Sequence, residues 1–216
     1  MAKARSYKLL CPIARALDRI GDRWTLLILR DLHAGPMRFG ELQKGLPGIA
    51  ANLLTDRLNK LVADGLVSKE ESYALTSLGS RTLDVLFELA VFGAAFEPEG
   101  PVIKPGNLRT VMTTLLAAAR RAEIGDMSLR VGLVVDGEMM QLEVADGAVR
   151  ASYGAHDAPD VVLTTGYEDL LAVSEGGIPM EDFIGTRAEM QVFTPGVESA
   201  FSQMMGAVMA ALQGED

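Results

Sequence analysis

The 216-residue sequence predicts a multi-domain chain: a mainly α domain followed by an α+β domain in which helices cover a five-stranded sheet. Three observations predict it. The segment FEPEGPVIKPGN, residues 96–107, places three prolines and two glycines between stretches of regular hydrophobic periodicity, as a linker does. Upstream, apolar residues recur at helical spacing in short blocks cut by glycine and proline. Downstream, apolar and polar residues alternate around two Asp-Gly pairs, the pattern of strands joined by hairpins. The expected boundaries are 1–97 for the first domain, 98–106 for the linker and 107–216 for the second domain.

Composition narrows the function classes. With 49% hydrophobic residues the chain is able to bury a full core. The net charge of −9 conceals an asymmetry: residues 1–69 hold 12 Lys and Arg against 6 Asp and Glu, whereas residues 98–216 hold 7 against 18. A basic first third of +6 beside an acidic second half of −11 points to a nucleic-acid or membrane-binding end. No run of about 18 apolar residues is present to span a bilayer, and MAKARSYKLL lacks the apolar core of a signal peptide. A cytoplasmic protein without membrane contact is expected. The single Cys11 has no internal partner, and with His33 and His156 far apart no metal-ligand cluster is visible.

The first domain reads as five helices and a hairpin. CPIARALDRIG starts with Pro12 in a first-turn position and stops at Gly21. Asp22 is an N-cap for RWTLLILRDLHAG, whose Trp24, Leu26, Leu27, Ile28 and Leu29 make it the buried centre. FGELQKGL is a short helix closed by Pro47 and Gly48. The next helix, within GIAANLLTDRLNKLVADGLV, sets Leu54, Leu58, Leu61 and Val62 on one stripe and Asn52, Asp56, Asn59 and Lys60 outward. VSKEESYAL reads as two short strands around a tight tip, and TSLGSRTLDVLFELAVFGAAF as a long apolar helix.

In the second domain, NLRTVMTTLLAAARRAEIG reads as a helix capped by Asn107. A three-stranded meander follows, turning at Asp136-Gly137 and Asp146-Gly147. DVVLTTG is a fourth strand, YEDLLAVSEGG and IPMEDFIG are short helices, TRAEMQVF is a fifth strand, and VESAFSQMMGAVMAAL is the closing helix.

Helices, a turn, a probing helix and a hairpin form the order of a winged helix-turn-helix. The run from CPIARALD through GDRWTLLILRDL, RF before ELQ, LPGI and DGLV resembles the HxlR family of bacterial transcriptional regulators, relatives of the MarR group, over residues 8–95. The resemblance implies DNA binding as a homodimer on a two-fold double-stranded operator. Small polar side chains enter the major groove, where amides read adenine and carboxylates accept from cytosine. Asn52, Asp56 and Asn59 are the expected base readers; Thr55, Arg57, Lys60, Arg38 and, on the wing, Lys69 are expected at phosphates. Two departures from the family stand out. Basic residues common near the positions of Asn52 and Asn59 are absent, which predicts a shallow salt dependence. The wing is short and acidic, with Glu70 and Glu71 near its tip.

The resemblance also implies a dimer seam on the last helix of the domain, with Leu83, Leu86, Phe87, Ala90 and Val91 as candidates; the alternative is that these pack only within their own subunit. Some family members sense oxidants or electrophiles through a cysteine matching Cys11, which here precedes a helix start, where thiols gain reactivity; free cysteines are also often plain buried residues. The second domain resembles the sterol carrier protein type two fold, which encloses an apolar tunnel. Phe183, Met190, Phe201, Met204, Met205 and Met209 are the expected pocket wall for an apolar or amphipathic effector, with ordinary core or a dimerising face as the alternatives.

The leading expectation is a regulator whose second domain biases its recognition helices; the alternative is a lipid or acyl-ligand carrier that uses the winged helix for docking. Enzymatic activity is not expected: no nucleophile elbow, phosphate loop or dinucleotide fingerprint appears, and no cofactor is implied. His33 reads as a C-terminal helix residue favoured by the dipole and His156 as a loop residue, while Glu168-Asp169 and Glu181-Asp182 read as first-turn residues.

Overall fold

The computed structural model describes residues 6–96, 107–122, 124, 126–154, 158–174 and 177–213. The chain divides into two compact units, Met1–Gly106 and Asn107–Asp216. The expected linker at 98–106 and His156 lie outside the described residues.

In the first unit, α1 (Pro12–Ile20) carries Pro12 in its first turn and ends at Gly21. Asp22 caps α2 (Arg23–His33), accepting the backbone N–H groups of Trp24 and Thr25 at 3.2 and 3.1 Å. Around α2 pack α3 (Phe39–Gly45), α4 (Ala51–Ala63) and α5 (Leu83–Ala94). Its buried side is Thr25, Ile28, Leu29, Asp31, Leu32 and His33; Trp24, Leu26 and Leu27 are only half-buried, so the helix is more one-sided than expected. Asp31 is fully buried, and its Oδ1 accepts Nε and Nη2 of Arg30 at 2.8 and 2.6 Å, which neutralises a charge that would be costly alone.

His33 closes the last turn of α2, where it was expected. It is buried, with Nε2 3.1 Å from Oγ1 of Thr82. Because the Thr82 hydroxyl donates to the Gly79 carbonyl at 2.7 Å, the imidazole N–H is the donor in that pair. Between α3 and α4 the chain reverses at Pro47 and Gly48, where φ of +90° requires glycine.

The hairpin pairs β1 (Val67–Lys69) with β2 (Tyr73–Leu75), Val67 opposite Leu75. Met37 adds a bridge to Tyr73 through backbone hydrogen bonds of 2.9 and 2.8 Å, a third short strand position that no local pattern announces. The long helix expected from residue 76 begins instead as a tight 3-10 turn, Gly79–Thr82, before α5.

In the second unit, α6 (Asn107–Arg121) starts at the residue read as its cap. The strands β3 (Leu129–Val135), β4 (Glu138–Ala145), β5 (Ala148–Tyr153), β6 (Val161–Thr165) and β7 (Glu189–Val192) form one sheet in the order β5-β4-β3-β6-β7. Among the described residues only the β3–β6 pairing is parallel; the crossover from β5 brings the chain back past the first strand of the sheet. Asp136-Gly137 and Asp146-Gly147, with all four φ angles positive, make the two-residue turns that the sequence predicts. Leu129, Val131, Leu133 and Val135 of β3 share a face with Met140, Leu142 and Val144 of β4. On that sheet pack α6 and the closing helix α9 (Glu198–Gln213). Between β6 and β7 lie α7 (Tyr167–Ser174), α8 (Met180–Asp182) and a π-helical turn, Phe183–Arg187. The acidic pairs Glu168-Asp169 and Glu181-Asp182 fall in the first turns of α7 and α8.

A buried polar group joins α6 to the sheet. The Arg109 guanidinium stands 4.9 Å over the Tyr153 ring, and the Tyr153 hydroxyl donates to Oε2 of Glu138 at 2.6 Å. Burial, then the hydrogen bond to Glu138, push the Tyr153 phenol up from 10.0 to about 12. A folded-state value above the unfolded one gives stabilisation that is complete below about pH 10 and lost as pH rises through about 12. Thermal melts across that alkaline window should fall more steeply for the native chain than for Tyr153→Phe; parallel curves would remove Tyr153 as the source.

Candidate nucleic-acid interface

The geometry of α4 follows from where its leucines point. Leu54, Leu58 and Leu61 are buried against the unit's core. Val62, expected on that stripe, is 38% exposed instead, because its position falls at the edge of the buried arc. Opposite the leucines, Asn52, Asp56, Asn59 and Ala63 recur at spacings of four, three and four residues, all exposed. Among the described residues the side chains of Asn52, Asp56 and Asn59 make no hydrogen bond or ion pair. They spend none of their polarity on the fold.

The other expected contacts separate into free and engaged groups. Arg38 is exposed at the start of α3, its backbone N–H donating to Oε2 of Glu41 at 2.6 Å. Thr55 is exposed, with its hydroxyl turned back to the Ala51 carbonyl at 2.9 Å. Arg57 is engaged: Nε meets Oδ1 of Asp22 at 2.9 Å. Lys60 is engaged too, Nζ donating to the Asp18 carbonyl at 2.7 Å. On the wing, the Lys69 ammonium lies 5.4 Å from the Tyr73 ring centroid, and Glu70 and Glu71 are exposed at the tip. The internal partners of Arg57 and Lys60 were not legible, since they lie 35 and 42 residues away in the chain.

The seam candidates on α5 point largely inward. Leu83, Leu86 and Phe87 are buried within their own unit and Ala90 is half-buried; of the five, only Val91 is exposed. The exposed apolar stripe of α5 is Val85, Leu89 and Phe92, continued just past the helix end by Phe96 and rotated by about half a helical turn from the expected face. Leu10, Ile13 and Leu17, at and within α1, are likewise exposed, Leu10 at 98%. Cys11 is exposed immediately before α1, and its side chain makes no capping hydrogen bond.

In the second unit, Phe183, Phe201, Met204, Met205 and Met209 are buried and Met190 is half-buried. A half-open cleft of about 700 Å³ lies elsewhere, where the end of α6 faces the β4–β5 turn; Ala119, Arg120, Ile124, Val144, Gly147 and Val149 are among its walls. None of the six expected wall residues lines it. Among the described residues no helix is long and apolar enough to cross a membrane, and no group of His, Cys, Asp and Glu is placed to hold a metal ion.

A three-helix core, a reversal into an exposed polar helix and a following hairpin define a winged helix-turn-helix protein. Residues 19–100 match the HxlR-like helix-turn-helix family. An HTH-type transcriptional regulator of Mycobacterium tuberculosis is 38% identical over 102 residues, 43% of this chain and 64% of that protein. One from Synechocystis is 31% identical over 93 residues, covering 39% of this chain and 69% of the relative, and the YvaP regulator of Bacillus subtilis is 30% identical over 90 residues, covering 38% and 83%. Among solved structures, a MarR-family regulator from Porphyromonas gingivalis is 33% identical with a TM-score of 0.39, covering 39% of this chain and 91% of that one. The quinone-bound YodB of B. subtilis is 31% identical with a TM-score of 0.38, covering 40% and 100%. The chain belongs to the HxlR family of helix-turn-helix proteins. The curated relatives named are HTH-type transcriptional regulators, and the chain spans less than two thirds, 64%, of the length of the mycobacterial ones.

Proposed function

We propose that this chain is a dimeric, sequence-specific DNA-binding transcriptional regulator in which α4 enters the major groove. The observation that carries the reading is the outward stripe Asn52, Asp56 and Asn59, exposed and uncommitted to the fold. The two asparagine amides both donate and accept and the Asp56 carboxylate accepts, which is the chemistry that reads a base edge. Arg38 and Thr55 flank the groove as backbone contacts, while Lys69 touches the backbone from a wing whose acidic tip keeps out of the minor groove. A homodimer sets two such helices on a two-fold operator. Its seam is the exposed stripe Val85, Leu89, Phe92 and Phe96 together with Ile13 and Leu17, in place of the inward-facing Leu83, Leu86 and Phe87.

The second unit acts as the controlling module, a sterol-carrier-like domain that takes an apolar or amphipathic effector. Its five-stranded sheet with helices packed on one apolar face supports that reading. An effector shifts DNA affinity only through its differential affinity for two arrangements of the dimer. The cleft beside α6 is open to it, whereas Phe201 and Met204 are close-packed.

Selection of sheared genomic DNA by the full-length protein at near-physiological salt tests the regulator. A palindromic sequence should be enriched, and Asn52→Ala and Asn59→Ala should each weaken binding to it about tenfold, the loss of one base contact of about 1–3 kcal/mol. Retention that is uniform across sequences and indifferent to both substitutions would overturn the assignment in favour of a ligand carrier.

A further inference from the structure

Three polar ties leave one flank of α4 and all reach the same corner of the chain, residues 18–22. Arg57 meets the carboxylate of Asp22 at 2.9 Å. One turn on, Lys60 donates to the Asp18 carbonyl at 2.7 Å, one of the last four carbonyls of α1, which have no partner within a helix. At the C-terminal end of α4, Asp64 meets Nη1 of Arg19 at 2.8 Å. Positions 57, 60 and 64 share a helical flank between the buried leucines and the outer stripe. The same Asp22 carboxylate caps α2, so the core helix and the exposed helix hold a common anchor.

We propose that Arg57 and Lys60 are positioning residues of DNA readout and not phosphate contacts: they brace α4 against the 18–22 corner and fix the rotation that aims Asn52, Asp56 and Asn59. The inference rests on the DNA-binding reading above. A helix held only by three leucines is able to roll about its axis, because apolar contacts have no direction. Hydrogen bonds of defined geometry on one flank remove that freedom. A small roll displaces every side chain of the outer stripe together, so the brace acts on all three readers at once.

The discriminating variant is Asp22→Asn. Asparagine keeps the N-cap of α2, since Asn and Asp cap equally well, but gives up the charge that holds Arg57. Removing a negative charge and releasing an arginine favours DNA binding if Arg57 serves phosphates. It weakens specific binding if Arg57 serves the brace. The two ideas thus differ in sign. Full-length wild type, Asp22→Asn and Arg57→Met are titrated with the selected operator and with a scrambled duplex over a range of salt, after thermal melts establish that each is folded. Bracing predicts that both variants lose about tenfold for the operator, the equivalent of one misaligned base contact, with little change on the scrambled duplex. It also predicts that Arg57→Met leaves the slope of log affinity against log salt unchanged, where loss of a phosphate contact lowers it by about 0.9. Tighter binding by Asp22→Asn, or a slope reduced in Arg57→Met, overturns the brace while leaving the regulator standing. A wild type that does not distinguish operator from scrambled duplex overturns both.

Discussion

Gly79→Ala should destabilise the first unit by about 3 kcal/mol, the upper end of what overpacking a buried site costs. The residue is buried where the chain leaves β2 and enters the 3-10 turn ahead of α5. A methyl group built there would overlap the Leu66 backbone carbonyl and crowd Cδ2 of Leu75 at 3.2 Å. A backbone carbonyl oxygen at the hydrogen-bonded base of the hairpin has no rotamer into which to retreat. Leu66 also accepts the Thr76 N–H at 3.0 Å, and the Gly79 N–H reaches the Thr76 hydroxyl at 3.1 Å, so moving the backbone breaks the knot that joins wing to helix. The His33–Thr82–Gly79 chain of hydrogen bonds would be disturbed with it. Denaturant melts of the full-length protein check the expectation; a loss below about 1 kcal/mol would show that the junction yields at the cost of an ordinary surface substitution.

Phe201→Ala should cost the second unit about 3–5 kcal/mol, as truncation of a packed aromatic does. Phe201 is 1% exposed on α9, close in chain to Met204 and Met205, which are buried beside it on the same helix. The experiment separates two uses of the same residues. A ring that fills core leaves a cavity when removed, whereas a ring lining an open site surrenders contacts already shared with solvent. A cost near 1 kcal/mol, together with new uptake of an apolar dye, would restore Phe201 and its methionine neighbours to the role of pocket wall.

What the sequence revealed and what it withheld divide along the range of the interactions. Element order in both units was legible because it is set locally: Pro12 and Gly21 bound α1, Asp22 caps α2, and two Asp-Gly pairs turn the meander. The outer stripe of α4 was legible for the same reason, since periodicity alone places Asn52, Asp56 and Asn59 opposite the leucines. What the sequence withheld were contacts distant in sequence. Arg57 and Lys60 look like free cations until the fold brings residues 18–22 beside them. His33 is legible as a residue of a helix C-terminus, but not as the partner of Thr82, 49 positions away. The buried arc of α5 was hidden for a different reason. That helix is apolar on nearly every side, so composition gives no hint of which arc meets its own core, and Leu83, Leu86 and Phe87 were as eligible as Val85, Leu89 and Phe92. A helix with a mixed surface declares its buried side; one that is apolar all round does not.

The separation of faces on α4 bears on how such a protein changes over time. Leu54, Leu58 and Leu61 hold the scaffold, and positions 57, 60 and 64 hold the corner at 18–22, but the stripe at 52, 56 and 59 supports nothing within the fold. Substitutions there are close to neutral for stability, in the range of about ±0.5 kcal/mol typical of exposed sites. Mutation is therefore at liberty to rewrite those three positions without passing through misfolded intermediates. On the readout proposed above, a duplicated copy of this chain would be able to leave its parent's target by changing three letters, and the rest of the winged helix would carry over unaltered.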